Sequence, residues 1–175
     1  MSKRKFNFYH ADRMNTLTPR TTLIPNGLYS RFGEFYVNRM HSNDINIISD
    51  PNVQREMIAE DIRQKRFPMH PSRLSCLFAA NTIDDACRFA LHVVPKPNYP
   101  IKIFEVFAEN FTVLDMKWLD FDVDTIKKMS YVEQYWYSSI TQHKPDQGDR
   151  SLPMLEVLLP LPVEIGDVVK VVAPE

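Results

Sequence analysis

The chain has 175 residues, of which 44% are apolar and 25% charged, and this suits one domain over residues 1–175. The formal net charge of −1 gives no overall attraction to nucleic acid or to an anionic membrane. The two cysteines, Cys76 and Cys87, lack metal-ligand spacing, and no apolar run is long enough to span a bilayer. We therefore expect a cytoplasmic protein without a disulfide framework, a metal site or membrane attachment.

The first part of the chain begins with a strand and continues through an irregular stretch. Residues 6–10 alternate in polarity and predict a strand, while the prolines and turn residues of residues 17–30 predict a loop. A short apolar patch occupies residues 35–37. Asp50-Pro51 is typical of a helix start, and the apolar spacing that follows predicts a helix ending near Pro68.

Strands and helices then follow in an irregular order. Strand patterns occupy residues 74–80, 101–107, 112–116, 155–160 and 163–172, the last interrupted at Gly166-Asp167. A capping box at Thr82 begins a helix that continues to Val94, and Asp122 begins a second helix. The apolar face of that second helix comprises Ile126, Met129, Trp136, Tyr137 and Ile140. With a polar loop at residues 143–153, this order predicts a mixed α+β fold.

Two glutamates are candidate functional acids. Glu156 lies in the apolar segment 155–160, where a buried carboxylate is costly unless it has a partner or lines a cleft. Strand alternation equally allows Glu156 to face water at a strand edge. Glu133 falls on the apolar stripe of the last predicted helix, either as a functional acid or at the rim of the core.

Basic and aromatic side chains are candidates for binding a nucleotide or a polyanion. The basic residues that share one face of the helix after Pro51 are Arg55, Arg63, Lys65 and Arg66. Such a face is either solvated or a site for phosphates. The aromatic residues suited to stacking on a base, or equally to a core, are Tyr9, Tyr29, Tyr36, Tyr135 and Trp136. None of the four glycines forms a phosphate-binding Gly-rich loop, so a nucleotide would be bound without a Rossmann turn.

Three blocks of residues resemble the ADP-ribosyltransferase superfamily. Residues 9–13 (YHADR), with the later Gly27-Leu28, are similar to its first strand and the loop that follows. Residues 73–79 (RLSCLFA) and 103–106 (IFEV) resemble strands of small bacterial members, including the rifampin-modifying enzymes. Residues 155–160 (LEVLLP) resemble the catalytic-glutamate strand of DarT-like enzymes, which ADP-ribosylate DNA.

The resemblance implies an α+β fold with split, mixed or antiparallel β-sheets and flanking helices, and it implies NAD as a substrate. Glu156 is the implied catalytic residue, and His10, Arg13, Arg73 and Ser75 are the implied NAD-binding residues. Loss of nicotinamide builds positive charge on the ribose, which a fixed carboxylate stabilises. The implied acceptor is a macromolecule, either nucleic acid or protein, in a toxin or phage-conflict setting.

One departure from the superfamily pattern narrows the reaction. Met154 stands two residues before Glu156, where arginine-modifying members have an acid or a glutamine, and this disfavours arginine as the acceptor.

A different hypothesis is a nucleotide- or nucleic-acid-binding module without catalysis. Its basic face would comprise Arg63, Lys65, Arg66 and Arg73. A third hypothesis is an interaction or antitoxin-type protein without a site.

Overall fold

The structure, a computed structural model, describes residues 3–92, 97–120, 122–140 and 153–174. Its strands are β1 (Phe6–Asp12), β2 (Thr21–Leu23), β3 (Cys76–Ala79), β4 (Ile101–Ala108), β5 (Thr112–Asp115), β6 (Leu155–Pro160) and β7 (Val163–Val172). Its helices are α1 (Arg31–Met40), α2 (Ile45–Ile48), α3 (Pro51–Arg66), α4 (Ile83–His92) and α5 (Thr125–Trp136). Short 3₁₀ turns cover Arg73–Ser75 and Met116–Leu119. The mixed α+β architecture confirms the predicted fold class.

The described strands form two antiparallel sheets, and the backbones of the two sheets pair with each other at one position. The larger sheet has the order β1-β4-β7-β2, and the smaller sheet has the order β3-β6-β5. Tyr9 of β1 and Ala80, which follows β3, exchange backbone hydrogen bonds of 3.0 and 2.7 Å. Strand β6 is the central strand of the smaller sheet, and Glu156 pairs with Leu114 of β5, whereas the pairing of β6 with β3 ends at the next residue, Val157.

Alternate residues of β6 face two different cores, as strand geometry requires. Val157 and Leu159 pack with Phe104 of β4 in the core between the two sheets. Leu158 belongs to the opposite face, where α3 and α5 cover the smaller sheet. Glu156 has the same parity as Leu158, so its side chain lies on the helix-covered face.

Helix α1 occupies a stretch in which the sequence shows only a short apolar patch at residues 35–37. Ser30 caps this helix, because its side-chain oxygen accepts a hydrogen bond of 3.1 Å from the backbone N–H of Gly33. Ser30 also donates from its backbone N–H (2.9 Å) and from its hydroxyl (3.2 Å) to the carbonyl of Leu74. These bonds fix α1 against the 3₁₀ turn that contains Arg73.

The strand predicted at residues 74–80 is wrong at its start, because a 3₁₀ turn precedes β3. Ser72 Oγ accepts from the backbone N–H of Leu74 at 3.2 Å, and the Ser75 hydroxyl donates to the Ser72 carbonyl at 3.0 Å. Local side-chain bonds of this kind compete with strand pairing. Arg73 therefore does not open the strand, and Ser75 does not lie within it.

Helix α5 is shorter than the predicted helix and buries a different face, because it ends at Trp136 and leaves Tyr137 and Ile140 beyond it and exposed. Asp124, rather than the predicted Asp122, caps it by accepting from the backbone N–H of Lys127 at 2.9 Å. Ile126, which is 83% exposed, and Met129 do not belong to the core as predicted. The buried residues are Val132, Tyr135 and Trp136. Two hydrogen bonds determine which face of α5 is buried. Trp136 Nε1 donates to the Ala59 carbonyl of α3 at 2.9 Å, and the Tyr135 hydroxyl donates to Glu156 at 2.7 Å.

Other boundaries also differ from the sequence predictions. Strand β2 lies within the predicted loop at residues 17–30 and pairs with β7. Strand β7 continues through the predicted break at Gly166-Asp167. Val94 and most of the predicted loop at residues 143–153 lie outside the described residues. Each of the described helices is too short or too polar to cross a membrane.

Candidate functional site

A buried polar network joins four elements on the helix-covered face of the smaller sheet. Its members are Glu56 from α3, Arg73 from the 3₁₀ turn, Tyr135 from α5 and Glu156 from β6, and together they are called the Arg73 network below. The relative exposure of these residues is 1%, 5%, 0% and 3%, respectively. A charged group at such depth is stable only with a partner, which each member of the network has.

All three nitrogens of Arg73 donate hydrogen bonds within the network. Nε donates to Glu56 Oε2 at 2.8 Å, and Nη2 donates to Glu56 Oε1 at 3.2 Å, which makes a two-pronged ion pair. Nη1 donates to the Tyr135 hydroxyl oxygen at 2.7 Å and to Glu156 Oε1. The Tyr135 hydroxyl in turn donates to Glu156 Oε1 at 2.7 Å.

The pKa values of the two glutamates in the network shift in opposite directions, although both side chains bind the Arg73 guanidinium. Burial acts to raise the pKa of Glu56, but Arg73 and Arg55 together hold it below its ordinary value. Burial raises the pKa of Glu156 above its ordinary value, and the opposing effects of Arg73 and Tyr135 do not overcome it. Neighbouring acids whose pKa values are pushed apart are typical of sites where one acid exchanges a proton.

The two carboxylate oxygens of Glu156 have different surroundings. Oε1 accepts from both Arg73 and Tyr135. In the part of the chain that the structure describes, no residue donates a hydrogen bond to Oε2. This atom is not fully buried. Glu156 is therefore held rigidly through one oxygen and keeps an acceptor for a further donor at the other.

The raised pKa of Glu156 leads to a prediction about stability and pH. Because the unfolded chain loses this proton at lower pH than the folded chain, rising pH favours unfolding across that interval. We expect the free energy of unfolding of the wild type to fall relative to that of Glu156→Gln as pH rises from the ordinary glutamate pKa to the folded-state pKa. Urea denaturation at a series of pH values measures this difference. A wild type that gains on the variant as pH rises would contradict the assignment.

His10 stands where the two sheets separate. The backbone pairing of Tyr9 with Ala80 does not continue, and His10 Nδ1 lies 2.6 Å from the Phe78 carbonyl oxygen instead. Since a carbonyl only accepts, Nδ1 carries the proton. Burial lowers the pKa of His10 although the Phe78 carbonyl and Asp12 act to raise it, so the ring is neutral near pH 7. A neutral ring with Nδ1–H leaves Nε2 as an acceptor.

Phe78 connects His10 to the Arg73 network, because its carbonyl oxygen binds His10 and its ring lies against Arg73. The guanidinium of Arg73 lies 4.8 Å from the centroid of the Phe78 ring and 6.0 Å from that of Phe32 on α1. The Phe32 ring contacts both Phe78 and Tyr36, with centroids 4.7 Å apart in each pair. The rings of Phe78, Phe32 and Tyr36 thus form a row that begins beside the Arg73 guanidinium.

Tyr36 lies among several charged groups. Burial raises the pKa of Tyr36, with Arg55 and Arg73 acting against the rise and Glu56 and Asp50 adding to it. Burial lowers the pKa of Arg13, which follows β1, and Tyr99 and Tyr36 oppose that change. Tyr36 thus lies within electrostatic reach of Arg13, Arg55 and Arg73.

The structure brings together some of the residues predicted from the sequence and separates others. Arg73 contacts Glu156 directly, and His10 is linked to Arg73 through Phe78. The N–H groups of Arg73 donate to Glu56, Tyr135 and Glu156 inside the protein, so they are not directed at a surface where the phosphates of NAD could bind. The Ser75 hydroxyl belongs to the 3₁₀ turn and donates to the Ser72 carbonyl.

Sequence reasoning did not find Glu56 or the polar role of Tyr135. The buried residues of α3 recur every third position and are Val53, Glu56, Ala59 and Ile62. That spacing was visible in the sequence and places Glu56 on the inner face of the helix. Tyr135 and Trp136, considered as stacking surfaces for a base, are both fully buried.

The basic face proposed for polyanion binding is largely neutralised within the described residues. Arg63 pairs with Glu60 at 2.7 Å, Lys65 pairs with Asp61 at 2.7 Å, and Arg66 pairs with Glu133. The second candidate acid, Glu133, is thus a half-buried ion-pair partner on α5. Arg73 is buried and does not belong to a surface at all.

The fold and the site define an α+β protein in which two sheets separate next to a buried arginine–glutamate network. The chain belongs to the family described as a protein of unknown function, DUF2441, whose model matches residues 6–167. The match includes β1, the whole Arg73 network and the first half of β7. No curated protein matches the chain.

Proposed function

We propose that this protein is an NAD-dependent ADP-ribosyltransferase that transfers ADP-ribose to a macromolecular acceptor, nucleic acid or protein. The observation that carries the proposal is the state of Glu156, a rigidly held acid with one carboxylate oxygen that receives no hydrogen bond from the described residues. The resemblance of residues 9–13 and 155–160 to the ADP-ribosyltransferase superfamily supports the same conclusion. The separation of the two sheets at His10 is compatible with the split sheets that the resemblance implies.

In this proposal Glu156 has two roles. As nicotinamide leaves NAD, positive charge develops on the ribose, and Oε2 stabilises that charge while accepting from a ribose hydroxyl. The acceptor nucleophile then attacks the ribose carbon and gives up a proton, for which Glu156 is the base. A carboxylate with a raised pKa holds that proton better than an ordinary one.

Arg73, Tyr135 and His10 support these roles from different sides. Arg73 and Tyr135 bind Oε1 and so fix which oxygen faces the substrate. Glu56 fixes Arg73 in turn through its two-pronged ion pair. His10 offers Nε2 as an acceptor to a ribose hydroxyl or to the carboxamide of nicotinamide.

The test is nicotinamide release from NAD, measured by chromatography with the wild type and two variants. Glu156→Gln is expected to reduce the rate about 10²- to 10⁴-fold, because a base and a charge stabiliser are lost together. Glu133→Gln is the matched control, since it removes a half-buried carboxylate whose ion-pair partner among the described residues is Arg66. We expect the wild-type rate from that control.

Circular dichroism and thermal melting of both variants separate a loss of chemistry from a loss of fold. Release by folded Glu156→Gln at the wild-type rate would rule out Glu156 as the functional acid. Loss of nicotinamide release in Glu133→Gln, with Glu156→Gln still active, would identify Glu133 on α5 as the functional acid. Mass spectrometry of protein, DNA and RNA incubated with enzyme and NAD identifies the acceptor.

A further inference from the structure

The Arg73 network leaves the binding of phosphates unexplained. Each nitrogen of Arg73 is occupied by the protein, and Arg73 itself is 5% exposed. A dinucleotide nevertheless carries a diphosphate, and the chain has no Gly-rich loop to bind it. A different cation near the surface is needed for this part of the ligand.

Arg55 on α3 has the required position and free donors. Its Nε donates to Glu56 Oε1 at 3.0 Å, which fixes the guanidinium plane beside the Arg73 network. Its side chain is 20% exposed. Within residues 3–92, 97–120, 122–140 and 153–174, no acceptor receives a hydrogen bond from its terminal nitrogens. The fork of the guanidinium is thus anchored at one end and open at the other.

The surroundings of Arg55 leave its open guanidinium available to an anion. The nearby acids are already engaged, because Glu56 accepts from Arg55 and Arg73, and Asp50 caps α3 by accepting from the backbone N–H groups of residues 52 and 53. An incoming phosphate therefore meets an open guanidinium whose neighbouring acids are already paired.

We infer that Arg55 is the diphosphate-binding residue of a nucleotide site beside the Arg73 network. The inference rests on the proposed function for the identity of the dinucleotide, but the chemistry holds for any nucleoside diphosphate. A planar guanidinium binds two phosphate oxygens at once, which a lysine ammonium does not. This inference assigns to Arg55 the NAD-binding role that the sequence suggested for Arg73.

Calorimetric titration with ADP, which is not turned over, tests this inference separately from catalysis. Arg55→Gln is expected to weaken ADP binding about tenfold or more, because a charge-assisted pair of hydrogen bonds is lost. Arg55→Lys is expected to restore only part of the affinity, since charge returns without the fork. The matched control is Arg39→Gln on α1, whose guanidinium lies 4.6 Å from the Phe35 ring centroid. Adenosine, which lacks phosphate, is expected to bind the wild type and Arg55→Gln equally.

The outcomes distinguish this inference from the proposed function. ADP affinity that is unchanged in folded Arg55→Gln, or that falls equally in Arg39→Gln, overturns the role of Arg55 and leaves nicotinamide release as a separate question. Absence of ADP binding to the wild type also overturns it. Arg55-dependent ADP binding in a protein that releases no nicotinamide supports the nucleotide site and refutes the proposed reaction. Melting temperatures establish that each variant is folded.

Discussion

Replacing Arg73 with methionine is expected to lower the free energy of unfolding by about 3–5 kcal/mol, because two carboxylates then lose the cation that they share. Among the residues that the structure describes, Glu56 then keeps Arg55 as its charged partner, and Glu156 keeps the Tyr135 hydroxyl. Both acids are almost fully buried, so water does not replace the lost bonds. Urea denaturation near neutral pH measures the change.

Two controls separate the burial of charge from the loss of any arginine. Arg20→Met removes an ion pair with Asp167 whose side chains are 81% and 54% exposed, and its cost is expected to be at most about 1 kcal/mol. Adding Glu156→Gln to Arg73→Met should recover part of the stability, since it removes one unpaired charge. Equal losses for Arg73→Met and Arg20→Met would show that the Arg73 network contributes no more than a surface pair.

Replacing Gly33 with alanine is expected to cost about 3 kcal/mol or more, because the new Cβ has no space. The Cβ would lie 1.7 Å from the carbonyl oxygen of Leu74 and 2.5 Å from its carbonyl carbon. These are backbone atoms next to Arg73, so helix α1 must move away from the 3₁₀ turn. The hydrogen bonds between Ser30 and Leu74 are then expected to break. Denaturant unfolding measures the loss.

Gly27 provides the matched glycine control for this prediction. It has a φ of +64° and no atom within 4 Å of an added Cβ. Gly27→Ala therefore carries only the cost of a left-handed residue, about 1–2 kcal/mol. Gly33→Ala with a smaller loss than Gly27→Ala would mean that α1 is not held tightly against the turn.

The elements with strong local signals were predictable from the sequence. Asp50-Pro51 begins α3 as expected, with Asp50 accepting from the backbone at 2.8 Å, and α3 ends before Pro68. Alternation located β1 and β4, whereas a continuous apolar run located β6, because a strand that is covered on both faces is apolar throughout. The α+β class follows from the order of these elements.

Elements fixed by distant contacts were not predictable in the same way. Helix α1 depends on hydrogen bonds between Ser30 and Leu74, which are 44 positions apart. The buried face of α5 is set by partners on α3 and β6. In the candidate site, Glu156 was found because an acid in an apolar strand stands out, and its contact with Arg73 followed from neither residue alone.

The position of β6 has a consequence for the order in which the molecule assembles. Arg73 and Glu56 are separated by 17 positions, whereas Arg73 and Glu156 are separated by 83. Closing the shorter loop costs less chain entropy, so the pair with Glu56 is favoured early and Glu156 joins later. A fragment ending before residue 155 lacks the strand between β3 and β5, so neither has its sheet partner. The smaller sheet and the acid of the proposed reaction therefore form together.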